Sequence, residues 1–158
     1  MKIGKYNFDF WSWTEKTELV QLDKINPEDD PVRPELDNEF RITSGRKVFG
    51  LKNTDNGIEG VVCVAFTREI PTTVKELELM SIPEEDSNIA IAYTLWSLKK
   101  GAGKKIMKEL LKCMKEKEHL ESFITLSPLT PMATHFHIKN GAKQVHINEE
   151  TQNFEYKL

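Results

Sequence analysis

The most informative hydrophobic pattern of the chain lies between residues 89 and 114. Its first part, IAIAYTLWS, is rich in β-branched and aromatic residues. This composition predicts a largely buried strand that contains Tyr93, Leu95 and Trp96. A glycine-containing turn follows the strand. Apolar residues then recur at helical spacing with lysines on the opposite face, which predicts an amphipathic helix over residues 103–117.

Shorter patterns precede this stretch. The alternation YNFDF predicts a first strand at residues 6–10, inside an aromatic cluster that we expect to dock onto the core rather than to bind a partner. Residues 14–22 suit either a short amphipathic helix or a second strand. Residues 25–38 hold three prolines among several acids, which predicts a loop that can cover the site, followed by a short helix ending near Gly45.

The rest of the chain alternates between predicted strands and helices. A hairpin is predicted around the turn NTDNG at residues 53–57, and Gly60 in its second strand indicates a bulge or a close backbone approach. A helix is expected over residues 71–79, followed by an acidic loop at 81–87. Strands are predicted at residues 46–52, 58–66, 123–127, 143–147 and 153–158.

The final helix has sharp sequence signals at both ends. Thr130 can cap it, Pro131 fits its first position, and the pair Asn140-Gly141 closes it. Helical spacing places His137 on the inward face and His135 about 160° away around the axis. An inward histidine is either a core residue with a hydrogen-bond partner or a site residue, and the spacing alone favours the core residue.

These elements are typical of one α/β (α+β) domain over residues 1–158, with a mixed central sheet flanked by helices. The predicted strand at 89–97, the helix at 103–117 and the strand at 123–127 should form a right-handed βαβ unit. A chain of 158 residues is long enough to bury a core of its own.

Composition excludes several functional classes. With a net charge of −3, the chain has no global field that would attract nucleic acid or a membrane surface. It has neither a long apolar run nor a leader-like N-terminus, so we expect a cytoplasmic protein. Cys63 and Cys113 fall in apolar segments and are expected to be reduced core residues. No metal is expected, because the histidines and cysteines lack the spacing of zinc ligands.

The turn between the central strand and helix has the features of an anion site. Glycines allow close backbone approach, the first N–H groups of the helix point into the turn, and four lysines lie within residues 99–105. Such a turn also occurs without any ligand, and it matches neither the Walker loop nor the dinucleotide fingerprint. If it binds phosphate or pyrophosphate, the residues around the anion are Lys99, Lys100, Gly101, Ala102, Gly103 and Lys104.

The same turn resembles the loop of the GNAT acyltransferase superfamily, Gln/Arg-x-x-Gly-x-Gly/Ala. Here it is Leu98-x-x-Gly101-Ala102-Gly103, with both glycines in place. A second hallmark of that family, Ala-x-x-aromatic-Tyr-x-x-x-Gly, corresponds to the segment from Ala133 to Gly141, where His137 replaces the tyrosine. The resemblance implies a GNAT-like fold that binds acyl-CoA with its pyrophosphate on this turn.

Two segments resemble one branch more closely. FITLSPLTP and PMATHFHIKNGA are similar to the Leu-Ser-Pro and Phe-His-x-x-Asn-Gly-Ala motifs of the catalytic domain of malonyl-CoA decarboxylase. The likeness covers roughly residues 60–147, and it implies that Ser127 and His137 are active-site residues.

The resemblance implies an acyl-CoA-dependent acyltransferase that moves an acyl group, expected to be acetyl, from CoA to an amine of a small molecule or protein. Decarboxylation of malonyl-CoA to acetyl-CoA is the alternative. In both reactions, backbone N–H groups of the strand around Tyr93, Leu95 and Trp96 can polarise the thioester carbonyl. A non-catalytic CoA-binding or interaction module is the third hypothesis, and a homodimer is left open.

Overall fold

The structure is a computed structural model, and it describes residues 16–158. The strand predicted at 6–10 and the aromatic cluster around it lie outside the described residues. Eight strands of the described part form one mixed sheet. They are β1 (Thr17–Leu22), β2 (Arg46–Asn53), β3 (Ile58–Thr67), β4 (Ile89–Ser97), β5 (Ser122–Thr125), β6 (Ser127–Pro128), β7 (Lys143–Ile147) and β8 (Thr151–Tyr156).

The sheet has the order β1-β2-β3-β4-β5-β8-β6, and β7 pairs with β8. Strands β1 to β4 run antiparallel to their neighbours, whereas β4 and β5 are parallel and joined by a helix. This parallel pair confirms the predicted βαβ connection. Four α-helices complete this part of the chain: α1 (Asn38–Ile42), α2 (Val74–Met80), α3 (Ala102–Lys115) and α4 (Pro131–Lys139).

The sheet separates two hydrophobic cores. Helix α3 packs its buried face against one side of the sheet, where Ile106, Leu110 and Met114 meet β2 and β3. The other core includes Leu36, in the loop before α1, and Leu77 of α2. Burial on both faces explains why the central strands are almost continuously apolar.

The predicted elements agree with the structure except at several boundaries. The strand expected at 123–127 is two pieces, β5 and β6, which are separated at Leu126. Both pieces pair with β8, and the Leu126 N–H donates to the Ala92 carbonyl of β4 at 2.9 Å. The helix expected to reach residue 117 ends at Lys115. In the segment 14–22, which suits either a helix or a strand, Thr17–Leu22 form β1, and residues 14 and 15 lie outside the described residues.

Two bulges lie close to the central turn. One makes Glu59 the extra residue of β3, opposite the step from Leu51 to Lys52. Its neighbour Gly60 faces α3, where an added Cβ would lie 3.4 Å from the Cβ of Ala102. Both interpretations of Gly60 therefore hold, since the bulge adjoins it and α3 approaches its backbone closely. The other bulge makes Tyr93 the extra residue of β4, opposite the step from Cys63 to Val64.

Cys63 is a buried, free cysteine in this part of the sheet. Burial raises the pKa of its thiol to about 11, so the thiol is protonated at neutral pH. This agrees with the prediction that Cys63 is a reduced core residue. Among residues 16–158, no helix combines the length and the apolar character that crossing a membrane requires.

Candidate active site

A cavity of about 370 Å³ opens where β4 and β5 separate. Their parallel pairing ends at Ala92 and Thr125, directly before the Tyr93 bulge. Beyond this point the chain after β5 stays paired with β8, as β5 itself is, but no longer pairs with β4, so β4 loses its neighbour on that side. The cavity is lined by residues of β4, of the start of α3, of the segment 126–137 and of the loop that contains Asp29, Pro31 and Val32.

Most of the predicted catalytic and thioester-binding residues line this cavity. They are Tyr93, Leu95, Trp96, Gly103, Ser127 and His137. They are predicted on four separate elements, two strands and two helices, and the fold brings them together. Trp96 is buried, and its indole N–H has no hydrogen-bond partner within the described residues.

Ser127 stands at the point where the chain leaves β5. It is buried, and its backbone pairs with Gln152 of β8. Its hydroxyl donates to the Thr125 hydroxyl at 2.8 Å, and the Thr125 hydroxyl oxygen also accepts from the Phe154 N–H at 3.0 Å. The serine hydroxyl is therefore bonded to a neutral group, and within the described residues it makes no hydrogen bond to a base that would make it a nucleophile.

Helix α4 positions the histidine as its sequence predicts. The Thr130 hydroxyl accepts from the Ala133 N–H at 3.1 Å, Pro131 occupies the first turn, and Gly141 follows with φ +96°. This alignment points His137 inward, where it is 7% exposed, and leaves His135 exposed.

His137 sits among aromatic rings and has one hydrogen-bond partner within residues 16–158. Its ring lies 5.2 Å from that of Phe136 and 5.0 Å from that of Phe154, measured between centroids. Its Nδ1 is 2.7 Å from the Tyr156 hydroxyl oxygen. Burial lowers the pKa of His137 to about 4, so the imidazole is neutral at pH 7.

The tautomer follows from the surroundings of Tyr156. This phenol is buried, and His137 is its one hydrogen-bond partner among the described side chains and backbone groups. The Tyr156 O–H is therefore satisfied when it donates to Nδ1 of His137. That assignment places the ring hydrogen on Nε2, which makes His137 a neutral hydrogen-bond donor in the cavity wall.

The opposite wall comes from the loop at residues 29–33, and a buried network fixes it to β4. Asp30 is paired with Arg41 at 2.9 Å, and both side chains are fully buried. The Thr94 hydroxyl lies 2.8 and 2.9 Å from the two oxygens of the same carboxylate. The Arg33 guanidinium donates to the carbonyl of Tyr93, the bulge residue. The loop and the bulge thus hold each other in place.

Sequence reasoning missed this network. It predicted a loop that covers the site, and the loop does cover the cavity, but nothing singled out Asp30 or the two arginines. The arrangement leaves Asp29 exposed at the mouth of the cavity. Among the described lining residues, Asp29 carries the only formal charge at neutral pH, because His137 is neutral.

The predicted anion turn adjoins the cavity. Gly101 has φ +84°, and Gly103 lies in the cavity wall, where an added Cβ would stand 3.0 Å from the Ser97 hydroxyl oxygen and 3.3 Å from Phe136. Ala102 is buried beside Gly60. The other predicted anion-binding residues, Lys99, Lys100, Gly101 and Lys104, are exposed and lie outside the cavity lining.

Lys99 has a partner that the sequence did not suggest. Its ammonium lies 3.4 Å from the carboxylate of Glu59, whose side chain is 4% exposed. The bulge residue Glu59 lies beside the turn, since its backbone carbonyl accepts from the Leu98 N–H at 2.8 Å. A lysine held in this way can still approach a phosphate, but it would share its charge between two anions. Within residues 16–158, no group of three His, Cys, Asp or Glu side chains is arranged to hold a metal ion.

No protein-family sequence profile matches the chain, and no curated protein matches it either. Solved structures do match. Malonyl-CoA decarboxylase from Agrobacterium vitis superposes with a TM-score of 0.76 and 15% identity, over 90% of this chain and 60% of that protein. The chain therefore spans about 60% of the length of that decarboxylase.

Two acetyltransferases have nearly the length of this chain. The acetyltransferase from Bacillus subtilis, solved in complex with CoA, superposes with a TM-score of 0.64 and 13% identity over 90% of this chain and 99% of its own. A GNAT-family acetyltransferase from Staphylococcus aureus superposes with a TM-score of 0.55 and 13% identity over the same fractions. The chain has a GNAT-like fold, and this confirms the fold class and the resemblance predicted from its motifs.

Proposed function

We propose that the chain binds a CoA thioester, with the acyl end in the cavity and the pyrophosphate at the turn before α3. The cavity lies between β4 and α4 and meets that turn at Gly103. The first N–H groups of α3 and the lysines around them suit an anion. The fold is shared with an acetyltransferase that was solved with CoA bound.

We propose further that the reaction is decarboxylation of a malonyl-type thioester. The observation that carries this choice is that Ser127 and the neutral His137 line one cavity. In this reaction the bond between the α-carbon and the carboxylate breaks and CO₂ leaves. The electron pair stays on the α-carbon and is delocalised onto the thioester oxygen as an enolate. The α-carbon then takes up a proton, and acetyl-CoA results.

The two side chains suit those steps. The Ser127 hydroxyl can turn from Thr125 to orient the departing carboxylate. The Nε2–H of His137 can donate to the enolate and supply the proton, which the imidazole regains from water. A neutral imidazole is strong enough as an acid for an enolate, which is a far stronger base than a thiolate. As CO₂ departs, the negative charge moves from the carboxylate to the enolate, where it is more widely delocalised. The apolar surroundings of His137 favour this more delocalised charge.

Acyl transfer to an amine is the second candidate, and Asp29 is the observation that favours it. An amine acceptor reaches the cavity as an ammonium ion, and a carboxylate at the mouth would attract it. The ammonium must then lose a proton before it attacks. His137, with its pKa lowered to about 4, is a weak base for that purpose. For this reason decarboxylation, the alternative in the sequence analysis, is placed first.

Two measurements test these proposals in order. A thermal unfolding series with CoA and malonyl-CoA establishes binding, since ligand at a hundred times its dissociation constant should stabilise the protein by about 2.7 kcal/mol. No shift at millimolar ligand would support a non-catalytic interaction module. Malonyl-CoA is then incubated without an acceptor and followed by mass spectrometry. Acetyl-CoA formed at a rate proportional to enzyme supports decarboxylation.

The same assay separates the second candidate. Acetyl-CoA is incubated with a panel of amines, and free thiol release is followed. Thiol release that requires an amine, together with unchanged malonyl-CoA, would overturn decarboxylation in favour of acyl transfer. The variant Ser127→Ala serves as the matched control in both assays, because loss of the hydroxyl should slow decarboxylation and leave CoA binding intact.

A further inference from the structure

The outward face of α3 carries an uninterrupted row of lysines. Lys104, Lys105, Lys108, Lys112 and Lys115 are all exposed. At about 100° per residue they fall within an arc of about 100°, and at about 1.5 Å per residue the row is about 17 Å long. None of the five makes an ion pair with a carboxylate in the part of the chain that the structure describes.

The row is unusual for this chain. The whole protein has a net charge of −3, so five positive charges on one helix face form a local field against an acidic background. Packing of α3 against the sheet requires only that its buried face be apolar. It does not require lysine on the exposed face. A solvated face would serve equally well with mixed charges. The concentration of one sign therefore indicates an acidic partner.

The position of the row narrows the choice of partner. Its N-terminal end, Lys104, directly follows Gly103, which lines the cavity. From there the row runs away from the cavity toward Lys115. A partner lying along α3 would therefore have one end at the entrance of the site and could deliver a thioester into it.

We propose that this row docks an acidic carrier protein whose acyl group is attached through a phosphopantetheine arm. The inference rests on the proposed function, because it assumes that the cavity accepts a thioester. The phosphopantetheine arm is the same chemical group that CoA carries beyond its nucleotide. The arm would enter the cavity past Gly103, with its phosphate at the turn, while an acidic helix of the carrier lies along the lysine row.

Nucleic acid fits the same charges less well. A duplex presents phosphates over a broad surface, whereas this row is confined to one face of one helix on a protein of net negative charge. Nucleic acid also carries no thioester that could enter the adjoining cavity. Binding of RNA or DNA is therefore included as an outcome that would overturn the proposal.

The test uses the full chain and a triple variant, Lys108→Glu with Lys112→Glu and Lys115→Glu. These three lysines lie beyond the turn, so their replacement should leave malonyl-CoA binding unchanged. The control triple variant, Lys75→Glu with Lys143→Glu and Lys157→Glu, makes the same charge change at exposed positions on other elements. Melting temperatures establish that both variants are folded.

The probe is a small acidic bacterial acyl carrier protein, loaded with a malonyl group on its phosphopantetheine arm. We expect it to bind the wild type in a salt-dependent manner, and to bind the α3 variant at least tenfold more weakly at low salt. The control variant should bind like the wild type. Equal losses in both variants, absence of carrier binding, or binding of duplex RNA or DNA that depends on the same three lysines would overturn the assignment.

Failure of this inference can be told apart from failure of the proposed function. If malonyl-CoA binds and the carrier does not, the docking proposal alone is wrong. If the carrier binds through the lysine row but neither thioester reacts, the docking surface stands and the proposed reaction fails. Carrier lacking the arm, which should bind more weakly than the loaded form, shows whether the arm enters the cavity.

Discussion

The cavity is bounded by two walls that the chain builds in different ways. The wall at residues 126–137 presents neutral donors, Ser127 and His137, and is held by a capped helix and aromatic packing. The wall at residues 29–33 presents little chemistry except Asp29, and is held by a fully buried ion pair between Asp30 and Arg41.

This difference in construction indicates that the two walls have different tasks. Neutral groups in an apolar setting keep their hydrogen-bonding ability for the substrate, because no charged neighbour competes for it. A buried ion pair does little chemistry, but it specifies one geometry, since any rearrangement would leave a charge without a partner. We infer that the wall at 126–137, the acting wall, works on the thioester. The wall at 29–33, the fixed wall, sets the shape of the opening and of the Tyr93 bulge.

The largest expected effect is on the acting wall. His137→Gln should lower turnover about 10²–10⁴-fold while leaving CoA binding nearly unchanged, because a positioned acid contributes that much and the turn before α3 is untouched. Steady-state kinetics and a thermal shift with CoA measure the two quantities. His135→Gln, on the exposed face of the same helix, is the matched control and should keep wild-type turnover.

Equal losses from both histidine variants would remove the distinction between the two faces of α4. A His137→Gln protein that no longer folds would indicate that the imidazole is a packing residue. In that case Tyr156→Phe decides the matter, because it removes only the hydroxyl on Nδ1. It should lower turnover without abolishing folding if the orientation of the imidazole matters.

The next largest effect is expected on the fixed wall. Arg41→Met leaves the Asp30 carboxylate buried without its partner, which should lower the free energy of unfolding by about 3–5 kcal/mol. Urea unfolding measures it. The control is Lys52→Met, which removes a partly exposed pair with Glu18 at 4.0 Å and should cost at most about 1 kcal/mol. Similar costs for the two variants would show that the loop is not held by charge.

The two walls also differ in how far the sequence predicts them. Helix α4 has local signals at both ends, so the inward direction of His137 follows from spacing alone. The catalytic role rests on the motif around it and stays a prediction. Asp29 and Asp30 are adjacent acids in a proline-rich loop, and no local pattern distinguishes them. Asp29 is exposed, whereas Asp30 is 1% exposed because it contacts Arg41 and Thr94, and Thr94 is 64 residues away.

The cavity itself also depends on contacts between residues that are distant in the sequence. The bulge at Tyr93 and the separation of β4 from β5 arise from pairing between distant strands, and the composition of β4 gives no sign of either. The pairing of Lys99 with Glu59 likewise needs the bulge at Glu59. Sequence patterns therefore predicted the elements and the residues of one wall, while the opening between the walls is a property of the assembled sheet.

The pH dependence of the free energy of unfolding tests the acting wall separately from the fixed wall. Imidazole in an unfolded chain has a pKa of about 6.5, and burial lowers that of His137 to about 4. Between these values the unfolded chain binds more protons, so the free energy of unfolding falls as pH drops from about 6.5 to about 4. The contribution is fully present above pH 6.5 and amounts to at most about 3 kcal/mol.

Urea unfolding at pH 7.5 and pH 4.5 measures this contribution. The wild type should lose more stability between the two pH values than His137→Gln does, and His135→Gln should behave like the wild type. If the wild type and His137→Gln lose the same amount, the imidazole is not held neutral by burial. His137 would then no longer qualify as the neutral donor that the decarboxylation requires.

The smallest effects are expected at the turn before α3, where the anion is proposed to bind. Gly101→Ala should cost about 1–2 kcal/mol, because φ is +84° there and an added Cβ has no neighbour within 4 Å that could offset the strain.

Gly103→Ala gains about 1 kcal/mol of helix propensity and loses a similar amount in the close contacts with Ser97 and Phe136, so its stability should change little. Because Gly103 lines the cavity and Phe136 adjoins His137, this second variant should weaken CoA binding instead. Urea unfolding and CoA titration of both variants measure the two effects, and a Gly103→Ala protein that is destabilised but binds CoA normally would remove the turn from the site.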